Sequence, residues 1–374
     1  MRRILFLTLT AFSKTGGIEK FNRSFSKALN DFSAAGKASI TVSSVYDDKP
    51  DEEYVSQNNF RSYKGNRWWF ILNELWKSRS YNEIIVGHIN MALLLVWVKR
   101  LFPSKKIILI LHGIEVMEPV SGIKKKALDK SDEIWTVSEF TRQNVIRLQH
   151  QPAEKTKIFY NTIDPFFTLP QNFSKPSYLQ ERYNIITGEK VLLTVTRLNH
   201  AENYKGYDKV IAALPFIKKI YPSVRYIIAG NGDEKEVNKI KGLLEQYQLK
   251  DNVVLTGYVP DEELTDHFLL SDVFVMPSSK EGFGIVFIEA LTCGVAVIGG
   301  NRDGTVDALV NGRLGTLVNP DSIEEIASAV VEALKKQETA FSANQHQAVQ
   351  QEVISNFGFE KFKSRLASYL AINN

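Results

Sequence analysis

Val273-Phe-Val-Met-Pro-Ser-Ser-Lys-Glu-Gly-Phe-Gly-Ile-Val-Phe-Ile-Glu-Ala-Leu-Thr292 runs from an apolar segment through a glycine-containing loop into a second apolar segment. The apolar run Val273–Met276 is too short for a helix and stops at a proline, as a buried strand does. Pro277 to Gly284 is loop, with two glycines, two serines and no period. The apolar residues after it continue too long for a strand and end at Cys293-Gly294, so Gly284–Thr292 reads as a helix. The β-branched run Val295–Ile298 follows. Strand, helix, strand implies two parallel strands, because the helix carries the chain back across the sheet.

The same alternation extends both ways. Towards the amino end, strands are expected at Val191–Val195, Val224–Ala229 and Val253–Gly257, with helices at Asp208–Ile220, Glu234–Tyr247 and Glu262–Leu270. Ile323–Lys336 adds a helix on the other side. Asn161–Gly188 breaks the pattern with three prolines and reads as an interdomain connection. Before it come strands near Ile4–Leu9, Ser39–Val45, Glu83–His88, Lys106–Leu111, Glu133–Val137 and Lys157–Tyr160, with helices including Phe70–Arg79, Ala92–Phe102 and Phe140–His150. The expected fold class is α/β: two Rossmann-like domains in tandem, residues 1–170 and 171–355. Ligands of such sheets bind beyond the carboxyl ends of the strands, so two of these edges facing across a cleft are where chemistry is expected.

At 374 residues the chain is long for one core and comfortable for two. With 44% hydrophobic and 24% charged residues it is an ordinary globular chain. One cysteine, Cys293, excludes an intramolecular disulfide and suits a reducing, cytoplasmic setting. Six histidines without a Cys/His cluster give no metal site. A net charge of +4 does not call for nucleic acid. The opening Arg2-Arg3 and apolar run resemble a secretory signal, but Thr8, Thr10 and the absence of a cleavage site favour a first strand. The longest other apolar run, Met91 to Val98, falls short of the ~20 residues of a membrane span. Lys20, Arg23 and Lys27 share a helix face, and Lys124-Lys125-Lys126 and Trp68-Trp69 lie in the same half. Two readings stand for these: a solvated helix face and a polar loop, or a docking surface for an anionic membrane carrying a lipid-linked acceptor. Asp47-Asp48-Lys49-Pro50-Asp51 reads as an acidic surface loop, and Cys293 as a buried packing residue.

The loop Pro277–Gly284 enters a helix, so its N–H groups suit a diphosphate, and Gly282 and Gly284 admit close backbone approach. Glu281 is placed to accept hydrogen bonds from sugar hydroxyls and Glu289, in the helix, from a ribose. The plainer alternative is a capping carboxylate and a salt-bridged helix residue. The wider pattern, Pro-Ser-x(2)-Glu-Gly-Phe-Gly-x(4)-Glu-Ala-x(2)-Cys-Gly-x-Ala-Val, closely resembles the donor-site segment of family 4 glycosyltransferases, the retaining glycosyl transferases group 1 of GT-B fold.

That resemblance implies roles. Glu281 would contact the transferred sugar and Glu289 would hold the ribose, with Gly282, Phe283 and Gly284 around the donor. Arg197 in Thr196-Arg-Leu198 and Lys205 before Gly206 would neutralise the leaving diphosphate, as an Arg fork and a Lys point charge can without a metal. The polar stretch Asn199–Tyr204 makes the loop between them long. Gly16-Gly17 resembles the family's glycine loop near the donor phosphate. His112 in Leu111-His-Gly113 would orient the sugar, with Gly87-His88 as its rival. Gly230 in Gly-Asn-Gly232 would lie near the nucleotide, and Tyr258 and Val259 would meet the base. The helical pattern Glu360–Leu370 resembles the family's last helix, so residues 356–374 are expected to pack back on the first domain.

The implied activity is transfer of a hexose, with retained anomeric configuration, from a UDP- or GDP-sugar to a glycan or lipid-linked acceptor in cell-surface polysaccharide synthesis. The nucleotide sugar is a substrate and no cofactor is expected. Two alternatives remain: a nucleotide-sugar epimerase of related fold, which would alter the donor without an acceptor, and a catalytically silent nucleotide-binding subunit, which would release no nucleoside diphosphate.

Overall fold

Strand β1 (Arg2–Thr8) is followed by α1 (Gly17–Ala34), β2 (Ala38–Ser44) and a short edge strand, β3 (Phe60–Ser62), in the computed structural model. Next come α2 (Arg67–Lys77), β4 (Glu83–Val86), α3 (Ala92–Leu101), β5 (Lys106–Leu111), α4 (Gly122–Lys130), β6 (Glu133–Thr136), α5 (Glu139–Arg147) and β7 (Thr156–Ile158). The structure describes residues 2–340 and 343–372, with the backbone alone for 338–340 and 343–344. Met1 and the last two residues of the expected 356–374 segment lie outside the described residues.

These strands form a parallel sheet in the order β3-β2-β1-β4-β5-β6-β7, with β1 paired to β2 from Arg2↔Ala38 to Thr8↔Ser44. Alternation along β1 divides the core. Leu5 and Leu7 join Phe70, Leu94, Leu95, Val98 and Leu128 of α2, α3 and α4 in one cluster. Phe6 points to the other face, where its ring lies 4.7 Å from Phe25 of α1.

The second unit runs through α6 (Ser177–Arg182), β8 (Val191–Val195), α7 (Tyr207–Lys218), β9 (Arg225–Ala229), α8 (Glu234–Gln246) and β10 (Val253–Gly257). It continues with α9 (Asp261–Leu270), β11 (Val273–Met276), α10 (Ile285–Thr292), β12 (Ala296–Gly300), α11 (Thr305–Ala308), β13 (Thr316–Val318), α12 (Ile323–Ala340) and α13 (Ala343–Phe357). Its sheet is parallel throughout, in the order β10-β9-β8-β11-β12-β13. Val210, Leu214 and Ile217 of α7 and Ile326, Val330 and Leu334 of α12 fill one face of it.

The final helix, α14 (Phe359–Tyr369), belongs to the first unit, which comprises Met1–Pro165 and Phe357–Asn374; the second is Phe166–Asn356. Phe362 of α14 completes the aromatic face, with its ring 4.7 Å from Phe159 and 5.8 Å from Phe21. Lys124-Lys125-Lys126 lies in the helix α4, not in a loop. Its apolar side is only Ala127 and Leu128, too little for a visible period.

Candidate active site

The loop between β11 and α10 is held from two sides. Asp303, almost fully buried, accepts hydrogen bonds at Oδ2 from the Glu281 N–H (2.7 Å) and the Ser278 hydroxyl (2.8 Å), and at Oδ1 from the Thr305 N–H (2.9 Å). The Gly304 N–H returns a bond to the Glu281 carbonyl at 2.9 Å. On the other side the Ser279 N–H donates to the Tyr204 carbonyl at 3.0 Å. Gly206 then turns with φ +80° so close to Pro277 that a Cβ would stand 2.3 Å from its carbonyl oxygen, and only glycine fits.

This seating brings two of the expected residues together. The Lys205 ammonium makes an ion pair with Glu281 Oε1, and the two side chains are only 14% and 16% exposed. Arg197 does not join them. Its guanidinium, 67% exposed, bonds Glu202 at 2.9 Å, and the other Glu202 oxygen is buried without a hydrogen-bond partner. Glu202 was invisible as a partner in the sequence because nothing in a polar loop marks which residue turns back.

Burial pushes the Asp303 carboxyl up to about 6; the charge of Glu281 adds to this and the hydrogen bonds to Glu281 and Thr305 oppose it. Its unfolded value is ~4, so the folded chain takes up the proton first and ionisation costs stability as pH rises from ~4 to ~6. Removing the titration removes that slope. The melting temperature of the parent, relative to Asp303→Asn, is expected to fall between about pH 4 and 6 and to stay level above. Parallel melting curves across that range would rule this out.

The residues expected on the nucleotide side form a backbone assembly at the carboxyl ends of β8, β9 and β10. The Thr196 N–H donates to Ala229, the Leu198 N–H to Asn231 and the Gly230 N–H to Gly257, at 2.8–2.9 Å. Gly230 has φ +145°, and a Cβ there would lie 1.8 Å from the Thr196 carbonyl oxygen. Arg197, the Gly230 turn and Tyr258-Val259 are thereby neighbours, with Tyr258 exposed. Gly284 caps α10, Phe283 is buried, and Glu289 one turn into that helix is buried as well. Burial, with the Glu289 charge beside it, raises the Cys293 thiol well above its ordinary value, so this cysteine is an unreactive packing group.

In the first unit the loop from β1 to α1 is organised by a residue that the sequence reading placed on the surface. Asp47 is fully buried, and its carboxylate accepts bonds from the N–H groups of Ala11 (2.7 Å), Phe12 (3.1 Å) and Ser13 (2.8 Å). The hydroxyls of Thr10 and Ser44 add bonds at 2.9 and 2.7 Å. Burial pushes this carboxyl up, but those bonds outweigh it and hold it below the usual range. The acidic surface loop begins only at Asp48, which is 71% exposed and paired with Lys64. Asp47 thus fixes the loop leading to Gly16-Gly17, and Gly16 caps α1.

His112 and its rival His88 are neighbours, at the ends of β5 and β4, with rings 6.1 Å apart. His112 is nearly buried, and its Nε2 donates to the Gly87 carbonyl at 2.9 Å, so that nitrogen carries a proton. Its backbone N–H donates to Glu115 Oε1 at 2.6 Å; Glu115 Oε2 is buried with no hydrogen-bond partner. Burial and the neighbouring His112 push His88 down to about 4, against the pull of Glu115, so it is neutral at physiological pH.

Residues 179–349 match the family described as glycosyl transferases group 1. The chain is 29% identical over 282 residues, 72% of its length and 71% of the other's, to a GDP-mannose-dependent alpha-(1-6)-phosphatidylinositol monomannoside mannosyltransferase of Mycobacterium tuberculosis. It is 27% identical over 215 residues to O-antigen chain mannosyltransferase B of Escherichia coli, covering 56% of this chain and 53% of that one. In fold it resembles Anabaena Alr3699/HepE, solved with UDP and glucose, at a TM-score of 0.79 and 19% identity over 99% of this chain and 100% of that one.

Proposed function

With residues 179–349 a member of the glycosyl transferases group 1 family and the chain a glycosyltransferase of GT-B fold, we propose that it transfers a hexose from a UDP- or GDP-sugar to a glycan or lipid-linked acceptor, retaining the anomeric configuration. The observation that carries this reading is the Lys205–Glu281 pair, seated by Asp303 and Gly206 at the entrance to α10. Without donor each charge compensates the other. With donor, Lys205 moves its charge to the leaving diphosphate, joined by Arg197, and Glu281 turns to the sugar hydroxyls. Gly282, Phe283 and Gly284 present the start of α10 to the phosphates. Glu289 takes the ribose, and Gly230, Tyr258 and Val259 take the nucleoside side. Gly16, Gly17 and His112 are assigned to the donor's phosphate and sugar on the resemblance of their motifs.

In the reaction the bond from the anomeric carbon to the diphosphate oxygen breaks as the acceptor oxygen bonds that carbon on the same face. The acceptor's proton passes to the departing diphosphate. No metal or cofactor enters this scheme. Acceptors of cell-surface polysaccharide synthesis are supported by the activities named for the mycobacterial and O-antigen relatives. Among the described residues no helix is long and apolar enough to cross a membrane. The proposed setting is the cytoplasm, peripheral to an anionic membrane that carries the acceptor.

Nucleotide binding is the first test. UDP or GDP at about 100 times its dissociation constant is expected to stabilise the fold by about 2.7 kcal/mol, a melting shift of several degrees, with ADP giving less. No shift with either UDP or GDP would remove the basis of the proposal.

A further inference from the structure

Two helices of the first unit turn apolar stripes to solvent. On α2 the stripe is Trp68, Leu72 and Trp76, and on α3 it is Leu93, Trp97 and Leu101, each at the four-residue spacing that stacks side chains on one helix face. Their exposures run from 37% to 73%, although the opposite faces are anchored by buried Phe70, Leu94 and Val98. Leu72, Leu75 and Trp76 line one groove with Leu101 and Phe102, so the stripes form a single patch. Trp69, beside them, is exposed too; of the chain's five tryptophans only Trp135 is buried.

The charge around the patch is mostly of one sign, with Lys99 paired to Asp132 and Lys106 to Glu83 and Glu133. From Arg67 to Lys106 the chain has seven lysines and arginines and only two acids, Glu74 and Glu83, both buried. Arg79 lies 3.8 Å over the Trp76 ring and Arg100 5.7 Å over that of Trp97, so cations sit among the aromatic groups. A second copy of the chain is a poor occupant, since a two-fold contact would set Arg79 and Arg100 against their like, and the nearby Asp132 is already paired with Lys99. An anionic bilayer complements both features. Tryptophan is at home at the headgroup level, and each basic residue near anionic lipid adds attraction. The basic residues of α1 are otherwise engaged, Lys27 with Asp31 and Arg23 over the Tyr54 ring.

We infer that the α2–α3 face is the surface by which this chain lies on an anionic membrane, with its tryptophans among the headgroups and Arg79 and Arg100 at the lipid phosphates. Of the proposed function this rests only on the peripheral setting. The test is co-sedimentation of the full chain with phosphatidylcholine vesicles, with and without phosphatidylglycerol, with tryptophan fluorescence followed in parallel. The parent should bind the mixed vesicles, with its emission shifted to the blue, and bind phosphatidylcholine alone weakly. Trp76→Ser/Trp97→Ser and Arg79→Glu/Arg100→Glu should each weaken binding roughly tenfold or more while melting temperature and nucleotide binding stay at parental values. A parent that ignores mixed vesicles, or variants that bind like the parent, would overturn the inference. So would a parental dimer that the tryptophan variant dissociates, because a second copy would then be the occupant. A chain that binds vesicles but no nucleotide would sink the proposed function and leave this surface standing.

Discussion

Glu281→Gln is expected to lower kcat by roughly 100-fold or more, while affinity for the nucleoside diphosphate stays within about threefold of the parent. The substitution keeps the side chain's size and the backbone N–H that Asp303 holds. It removes the charge opposite Lys205, which is then available to a diphosphate without competition. An interaction made with the sugar as charge develops at the anomeric carbon is lost, whereas the nucleotide's own contacts remain. Lys205→Ala should behave differently, weakening nucleoside diphosphate binding together with turnover. Initial rates and calorimetric titration of the two variants separate these patterns. Near-parental kcat in Glu281→Gln would remove this residue from the sugar site.

Asp47→Ala is expected to carry the largest cost in stability, roughly 3–4 kcal/mol or about 10 °C in melting temperature. Five donors converge on this one carboxylate, three from backbone, and alanine would leave the buried ones without acceptors. Because the loop it holds leads to Gly16-Gly17, donor affinity should fall in the same variant. Asp48→Ala is the matched control, since Asp48 is itself 71% exposed and an exposed pair with Lys64 contributes little. Equal melting temperatures for the two variants would contradict the clamp.

That contrast shows what the sequence discloses and what it withholds. The alternation of β-branched runs with helical patterns was enough to expect two parallel sheets, and β5, β8, β10 and β11 begin and end at the residues expected from their apolar runs. Three-residue edge strands such as β3 and β13 were missed because they are too short to carry a period. The connection Asn161–Gly188 was read as irregular, yet it holds α6, a helix of six residues that starts just after Pro176. At the site, the motif led to Glu281, Lys205 and Gly230, whose loops the structure shows seated on their neighbours by backbone bonds. It was silent on Asp47, Glu202 and Asp303. A carboxylate that anchors a distant loop looks in sequence like any other polar residue, since its long-range partners lie 22 to 37 positions away or turn back within the same loop. Only folding tells Asp47 from Asp48.

The proposed reaction is transfer of a sugar from a nucleotide donor with its anomeric configuration kept. Proton magnetic resonance of the reaction with a UDP- or GDP-hexose and a lipid-linked or glycan acceptor tests it directly. A new glycosidic signal with the donor's own anomeric configuration is expected, accumulating in step with free nucleoside diphosphate and only when acceptor is present. A product of the opposite configuration, or a donor whose sugar is epimerised with no acceptor added, would contradict it.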